Sequence, residues 1–239
     1  MAESLAVKGL DRNFASFEEY VASFPKYDLG QAPLEVVERL RMDPNDVYTD
    51  VSVYPGIYLN HEYQHAMVRL IGGKCLNAAC ADDPAKLGEL GAINLDFLTH
   101  TPASNRDQTK IPNFVHGTVM DMPFPDEHFD CVVLGEFLEH CKPEKAVQAI
   151  TECRRVLKAG KYLVLTVPLD ARPRDEQRGS EDWPLEYDAG ITCHHQTWWC
   201  NDMILDLKRK VRMIEVGRAA LFYMLTAPLG GWGLCWQKP

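Results

Sequence analysis

The stretch from Gly117 to Pro168 constrains this chain more than any other. A Phe129-Asp130 pair leads into Cys131-Val132-Val133-Leu134, an apolar and partly β-branched run of the length of a buried strand. Apolar residues at Ala146, Val147, Ile150, Cys153 and Leu157 then predict a helix from about Pro143 to Leu157, with Ala159-Gly160 expected to close it. Tyr162-Leu163-Val164-Leu165-Thr166-Val167 reads as a second buried strand. Strand, helix and strand over this length make one right-handed crossover of a parallel sheet, so the chain is of the α/β class.

The flanks extend that pattern. Strands are predicted at Lys74–Ala79, Ala92–Asp96 and Asn113–Gly117. Asp83-Pro84 reads as an N-cap followed by proline at the first helical position, opening a short helix that ends near Gly88 or Gly91. Thr99 to Pro112 is polar and carries two prolines, so the helix that a second crossover would need is absent there. Downstream, a helix is predicted from Asn201 to about Lys210, and strands at Val211–Val216 and Gly231–Gln237.

Upstream, Phe14, Phe17, Tyr20, Val21 and Phe24 recur at helical spacing, as do Leu34, Val37 and Leu40. A third helix is predicted over Asn60 to Ile71, with Tyr63, Met67 and Leu70 on one face. Residues 1–72 are therefore assigned to an N-terminal helical cap and 73–239 to the α/β core. Tyr54, Tyr58 and Tyr63 either line a pocket or pack the cap onto the core. Residues 169–199, long and charged, read as a lid loop that delivers His194, His195, Trp198 and Trp199.

Composition excludes several classes. A net charge of −9 without a basic stripe argues against nucleic acid as a partner. The eight cysteines hold no C-x-x-C pair and read as buried thiols of a reducing compartment. With no apolar run of membrane-spanning length and no signal-peptide pattern at Met1 to Leu10, a cytoplasmic location is expected.

The wording D-M-P-F-P-D-x-x-F-D-x-V from Asp121, then L-E-H at Leu138–His140, then R-V-L-K-x-G from Arg155, resembles class I S-adenosylmethionine-dependent methyltransferases. The resemblance covers roughly Gly73 to Pro168. It implies a doubly wound, mostly parallel seven-stranded sheet of Rossmann-like type, with one antiparallel strand near the edge. It also implies S-adenosylmethionine as cofactor and a cradle drawn from Ala79, Asp96, Asp121, Met122 and Gly135. Asp96 would bind the ribose hydroxyls, Asp121 the adenine amino group, and the Met122 amide the same ring. The sequence departs from the family at the first turn, where Ala79, Ala81 and Asp83 stand for glycines. Alanine at positive φ costs about 1 kcal/mol or more, so a reshaped turn is expected.

Glu136, Glu139 and His140 stand at i, i+3, i+4 and would share one face of a helix. With His195 from the lid they resemble the divalent site of metal-assisted O-methyltransferases, which would take Mg2+ or Mn2+. Without a metal, His140 or His195 is the candidate base. The leading reading is an O-methyltransferase with a small-molecule acceptor and, at most, a homodimeric partner. A methyltransferase-like binding or regulatory subunit without turnover is the alternative, suggested by the absent glycines. A nicotinamide-dependent oxidoreductase is weaker, because no G-x-G-x-x-G opens the fold.

Overall fold

The structure, a computed structural model, describes residues 60–81, 83–101, 106–168, 197, 199, 201–221 and 231–239. The helices expected before residue 60, His194, His195 and the body of the 169–199 loop lie outside the described residues. So do Tyr54 and Tyr58.

The chain enters through helix α1 (Asn60–Ile71) and strand β1 (Cys75–Ala78), followed by β2 (Ile93–Asp96). A two-strand hairpin, β3 (His100–Thr101) and β4 (Arg106–Asp107), precedes β5 (Phe114–His116). Then come β6 (Phe129–Gly135), α2 (Pro143–Val156), β7 (Leu157–Pro168), α3 (Asn201–Val211), β8 (Ile214–Leu221) and β9 (Gly231–Gln237). The main sheet has seven strands in the order β5-β2-β1-β6-β7-β9-β8. Only β9 runs against its neighbours, pairing antiparallel with both β7 and β8. A mostly parallel seven-stranded sheet with one antiparallel strand near its edge is what the family resemblance implies.

Alternate residues of each strand face opposite sides. One side carries Leu76, Val132, Leu134, Leu163 and Leu165, and is covered by Ala149, Ile150 and Cys153 of α2 and Ile204 and Leu207 of α3. The other carries Cys75, Cys131, Val133, Val164 and Cys235, and is covered by Tyr63, Met67 and Val68 of α1. The six described cysteines are free and buried, as expected. α1 spans the predicted residues and packs on one face of the sheet. Tyr63 is 2% exposed. It lies against Gly233, where a Cβ would come within 2.6 Å of the ring, so this tyrosine packs the helix onto β9.

Two local expectations are corrected. α2 ends at Val156, because Leu157 turns to extended backbone and starts β7 at once. Gly160 therefore does not cap the helix. It bends the early part of β7 at φ 73 and donates its N–H to the Lys238 carbonyl. After Asp83-Pro84 there is no α-helix but a 3₁₀ turn, Leu87–Leu90, closed by Gly91 at φ 84. The stretch before β5 also lacks a crossover helix, as its composition requires; the β3–β4 hairpin and the 3₁₀ turn Gln108–Lys110 replace it. Among the described residues no helix is long and apolar enough to cross a membrane.

Candidate functional site

In an open α/β sheet the ligand cleft lies beyond the carboxyl ends of the strands. Here that edge is formed by the turn after β1, the end of β2, the turn after β5 and the segment after β6.

The turn after β1 is not reshaped. Ala79, Ala81 and Asp83 all take left-handed backbone, with φ of 53, 47 and 51. The conformation usual for glycine is thus kept without glycine, and the strain is carried by hydrogen bonds from the surroundings. Cys80 N–H donates to Leu95 O at 3.0 Å, and Ala81 N–H to Asp96 Oδ2 at 2.9 Å.

Asp83 carries the largest share. Its carboxylate accepts the N–H groups of Leu87 and Gly88, each at 2.8 Å, which caps the 3₁₀ turn. It also accepts Asn77 Nδ2 at 3.2 Å. Asn77 Nδ2 reaches Asn94 Oδ1 at 2.8 Å, across the register pair of β1 and β2, and Asn94 Nδ2 donates to Pro112 O at 2.9 Å. All three side chains are buried. Gly88 leaves room for them, since a Cβ there would sit 2.7 Å from Asn94 Nδ2. Sequence reasoning saw Asp83 as a cap but missed the network. The available signal was an asparagine at the corresponding position of each of two adjacent buried strands.

Asp96 closes β2 as predicted and is 5% exposed. Its oxygens accept from Ala81 N–H and Leu98 N–H, both at 2.9 Å. Burial pushes its carboxyl above the ordinary aspartate value, opposed by the amides of Leu98 and Ala81. A carboxylate offers about four lone-pair positions, so two amide contacts leave room for hydroxyl donors.

The turn after β5 differs from expectation at one position. Asp121 is exposed, and its N–H bonds Thr118 O. The Met122 amide does not face the cleft. It donates to Glu152 Oε1 at 2.8 Å, and Met122 is 3% exposed. Arg155 completes the clamp, bonding Glu152, Asp126 and the carbonyls of Met122 and Phe124. The R-V-L-K wording thus ties α2 to the turn before β6. A carboxylate facing an otherwise unpaired amide is the physical reason that amide is taken.

After β6 the helical spacing of Glu136, Glu139 and His140 does not apply. Glu136 sits at φ 50 and its N–H continues the strand ladder to Thr166 O, while Leu138–His140 is a single 3₁₀ turn. The three side chains therefore do not line one helical face. Among the described residues no group of three His, Cys, Asp or Glu side chains could hold a metal ion. Glu139 is 2% exposed, with Oε1 3.8 Å from His140 Nε2, and Oε2 has no hydrogen-bond partner among the described residues. Burial pushes its carboxyl well up, and the Glu136 charge pushes the same way. Burial also raises the Cys141 thiol to about 12. Thr197, two positions after His195 in the chain, clips onto this segment: its N–H donates to Glu139 O and its Oγ1 to Cys141 O. Trp199 is buried among the core residues beside α3.

An open sheet of this strand order, with its penultimate strand reversed, is the fold of class I methyltransferases. Residues 75–165 match the methyltransferase domain family. The chain is 42% identical over 77 residues to a fatty-acid O-methyltransferase of Mycolicibacterium smegmatis, covering 30% of this chain and 26% of that protein. It is 36% identical over 104 residues to a demethylmenaquinone methyltransferase of Staphylococcus haemolyticus, covering 39% and 43%. The matched regions therefore span less than half the length of these curated relatives. Among solved structures, the 1,6-didemethyltoxoflavin-N1-methyltransferase of Burkholderia thailandensis, with 1,6-didemethyltoxoflavin and S-adenosylhomocysteine bound, superposes with a TM-score of 0.52 at 15% identity, over 95% of this chain and 92% of that one. That likeness is one of fold.

Proposed function

We propose that the chain is an S-adenosylmethionine-dependent methyltransferase that methylates an oxygen of a small molecule. One observation carries this reading: the turn after β1 keeps left-handed backbone at Ala79, Ala81 and Asp83, and is tied to the buried Asp96. A chain holding strained backbone at a ligand edge does so for a ligand that approaches the backbone closely. Asp96 would accept from the ribose hydroxyls, Asp121 from the adenine amino group, and Ala79 and Gly135 would leave the cofactor room at the ends of β1 and β6.

The cofactor supplies an electrophilic methyl group on a sulfonium that is its own leaving group. The protein's work is to align the acceptor, exclude water and take the hydroxyl proton. His140, next to the buried Glu139, and His195, two residues from the Thr197 clip, are the candidate bases. The oxygen acceptor draws support from the fatty-acid enzyme's name. The reading needs no divalent ion: among the described residues no group of three His, Cys, Asp or Glu side chains could hold one.

Titration calorimetry with S-adenosylhomocysteine and, in parallel, NADH tests the cofactor; heat from NADH alone would replace this reading with the oxidoreductase. Asp96→Ala should weaken S-adenosylhomocysteine by about 1–3 kcal/mol. With cell metabolites as acceptors, His195→Ala or His140→Ala should cut turnover by roughly 100-fold or more while leaving cofactor affinity nearly unchanged. Chelator should have no effect. A loss reversed by Mg2+ or Mn2+ would bring the metal back, and binding without turnover on any acceptor would favour the regulatory subunit.

A further inference from the structure

Past its first residue, the buried Asn60, the buried face of α1 carries one amide side chain, Gln64, which is 4% exposed. Tyr63, Met67 and Val68 around it join the core on that side of the sheet. Burying a primary amide without full hydrogen bonding costs about 1–3 kcal/mol, and a methionine or leucine would fill the same space without that cost. The Gln64 amide is not placed where core packing is tightest. It lies on the backbone of Gly135, where a Cβ would fall 2.7 Å from Gln64 Cδ, and its Nε2 donates to Thr166 Oγ1 at 2.8 Å. Gly135 and Thr166 are register partners near the carboxyl ends of β6 and β7.

The same face of the sheet changes character along its length. Towards the amino ends it carries Cys75, Cys131 and Val164; towards the carboxyl ends it carries Asn77, Asn94, Asp96, Gly135 and Thr166. Gln64 stands over this polar end. β1 and β6 are neighbours, with Ala78 opposite Leu134, so Gly135 and the Ala79 turn lie side by side. Among the described residues the Gln64 side chain makes one hydrogen bond, to Thr166. A primary amide has two N–H donors and a carbonyl acceptor, which leaves one N–H and Oε1 for a ligand.

We propose that Gln64 recognises the amino-acid end of the cofactor, its carbonyl accepting from the ammonium and its remaining N–H donating to the carboxylate. The assignment rests on the methyltransferase reading above. Gly135 is then a glycine for two reasons: it admits the cofactor, and it lets the Gln64 amide lie flat against the strand. Thr166 Oγ1 anchors one end of the amide and leaves the other end for the ligand.

Two ligands separate recognition from packing: S-adenosylhomocysteine, and 5′-methylthioadenosine, which lacks the amino-acid end. Gln64→Met keeps the volume and helix propensity and removes the amide. It should weaken S-adenosylhomocysteine about 10-fold or more, as loss of a hydrogen bond to a charged group does, and leave 5′-methylthioadenosine within about twofold. An equal loss for both ligands would show that Gln64 only shapes the wall; no loss for either would also overturn the proposal. Gln64→Asn, one methylene shorter, gives the same comparison if Gln64→Met does not fold. Wild-type protein that binds neither ligand would remove the methyltransferase reading itself, and this assignment with it.

Discussion

From β1 to β5 the described connections contain only 3₁₀ turns and a two-residue-stranded hairpin, whereas β6 and β7 are joined through a fourteen-residue helix. The α2 crossover is held by apolar burial: Ala146, Ala149, Ile150, Cys153 and Val156 are each 0% exposed. The β1–β2 connection is held by hydrogen bonds that converge on Asp83, over four non-glycine residues in left-handed backbone, Ala79, Ala81, Asp83 and Lys86. Apolar packing tolerates repacking and fixes position loosely; a satisfied buried polar network fixes atoms, but fails when one member is lost. The half of the sheet that meets the proposed cofactor is thus the one built for placement.

The comparison can be broken from either side. Asp83→Ala should cost about 3–5 kcal/mol, since it leaves two backbone amides and two asparagine side chains short of an acceptor. Urea denaturation measures it, and a cost below that of the packing variant would show that the network is incidental. Ile150→Ala in α2 should cost about 2–4 kcal/mol by transfer and cavity terms, without altering S-adenosylhomocysteine affinity. If affinity falls, the two halves are coupled rather than distinct. Ala79→Gly and Ala81→Gly should each stabilise the fold by about 0.5–1 kcal/mol, because glycine relieves the positive φ and loses some of that gain to unfolded-state entropy. Lower melting temperatures in both would mean that the turn is not strained.

The smallest effect is a pH slope. The Asp96 carboxyl is raised in the folded state, so the fold binds its proton more tightly than the unfolded chain does. Its contribution is present at acid pH, below the unfolded value, and is lost as pH rises through the folded one. Asp96→Asn should remove that component, so the stability difference between wild type and variant should shift against wild type as pH rises above the ordinary aspartate range. A difference independent of pH would contradict the burial-driven shift.

The crossover through α2 was legible because it is written in contiguous residues: an apolar run, a helical period, a second run. The seven-stranded, mostly parallel sheet was implied by the family resemblance rather than by these runs. The Asn77–Asp83–Asn94 network was not legible, since its members meet only once β1 and β2 are in register, and a slip of one residue would turn each asparagine to the other face. E-x-x-E-H was misread for the opposite reason. Its spacing has meaning only inside a helix, and Glu136 leaves β6 in left-handed backbone before any helix begins. Met122 was offered to the cofactor on family wording, whereas the competing acceptor, Glu152, stands thirty residues further along. Asp96 was the easiest to place, because the acid that ends β2 needs only the strand to be found.

The position of β9 has a consequence for assembly. β9 follows β8 in the chain but lies between β8 and β7 in the sheet. As the chain emerges during synthesis, β8 therefore has no neighbour to pair with until β9 has been made. Its unpaired edge, bearing Ile214 at 49% exposure even in the finished fold, must be tolerated or shielded in the interval. β9 is the wedge that locks the edge, so a chain truncated just short of Gly231 would leave β7 and β8 with an open, aggregation-prone seam between them.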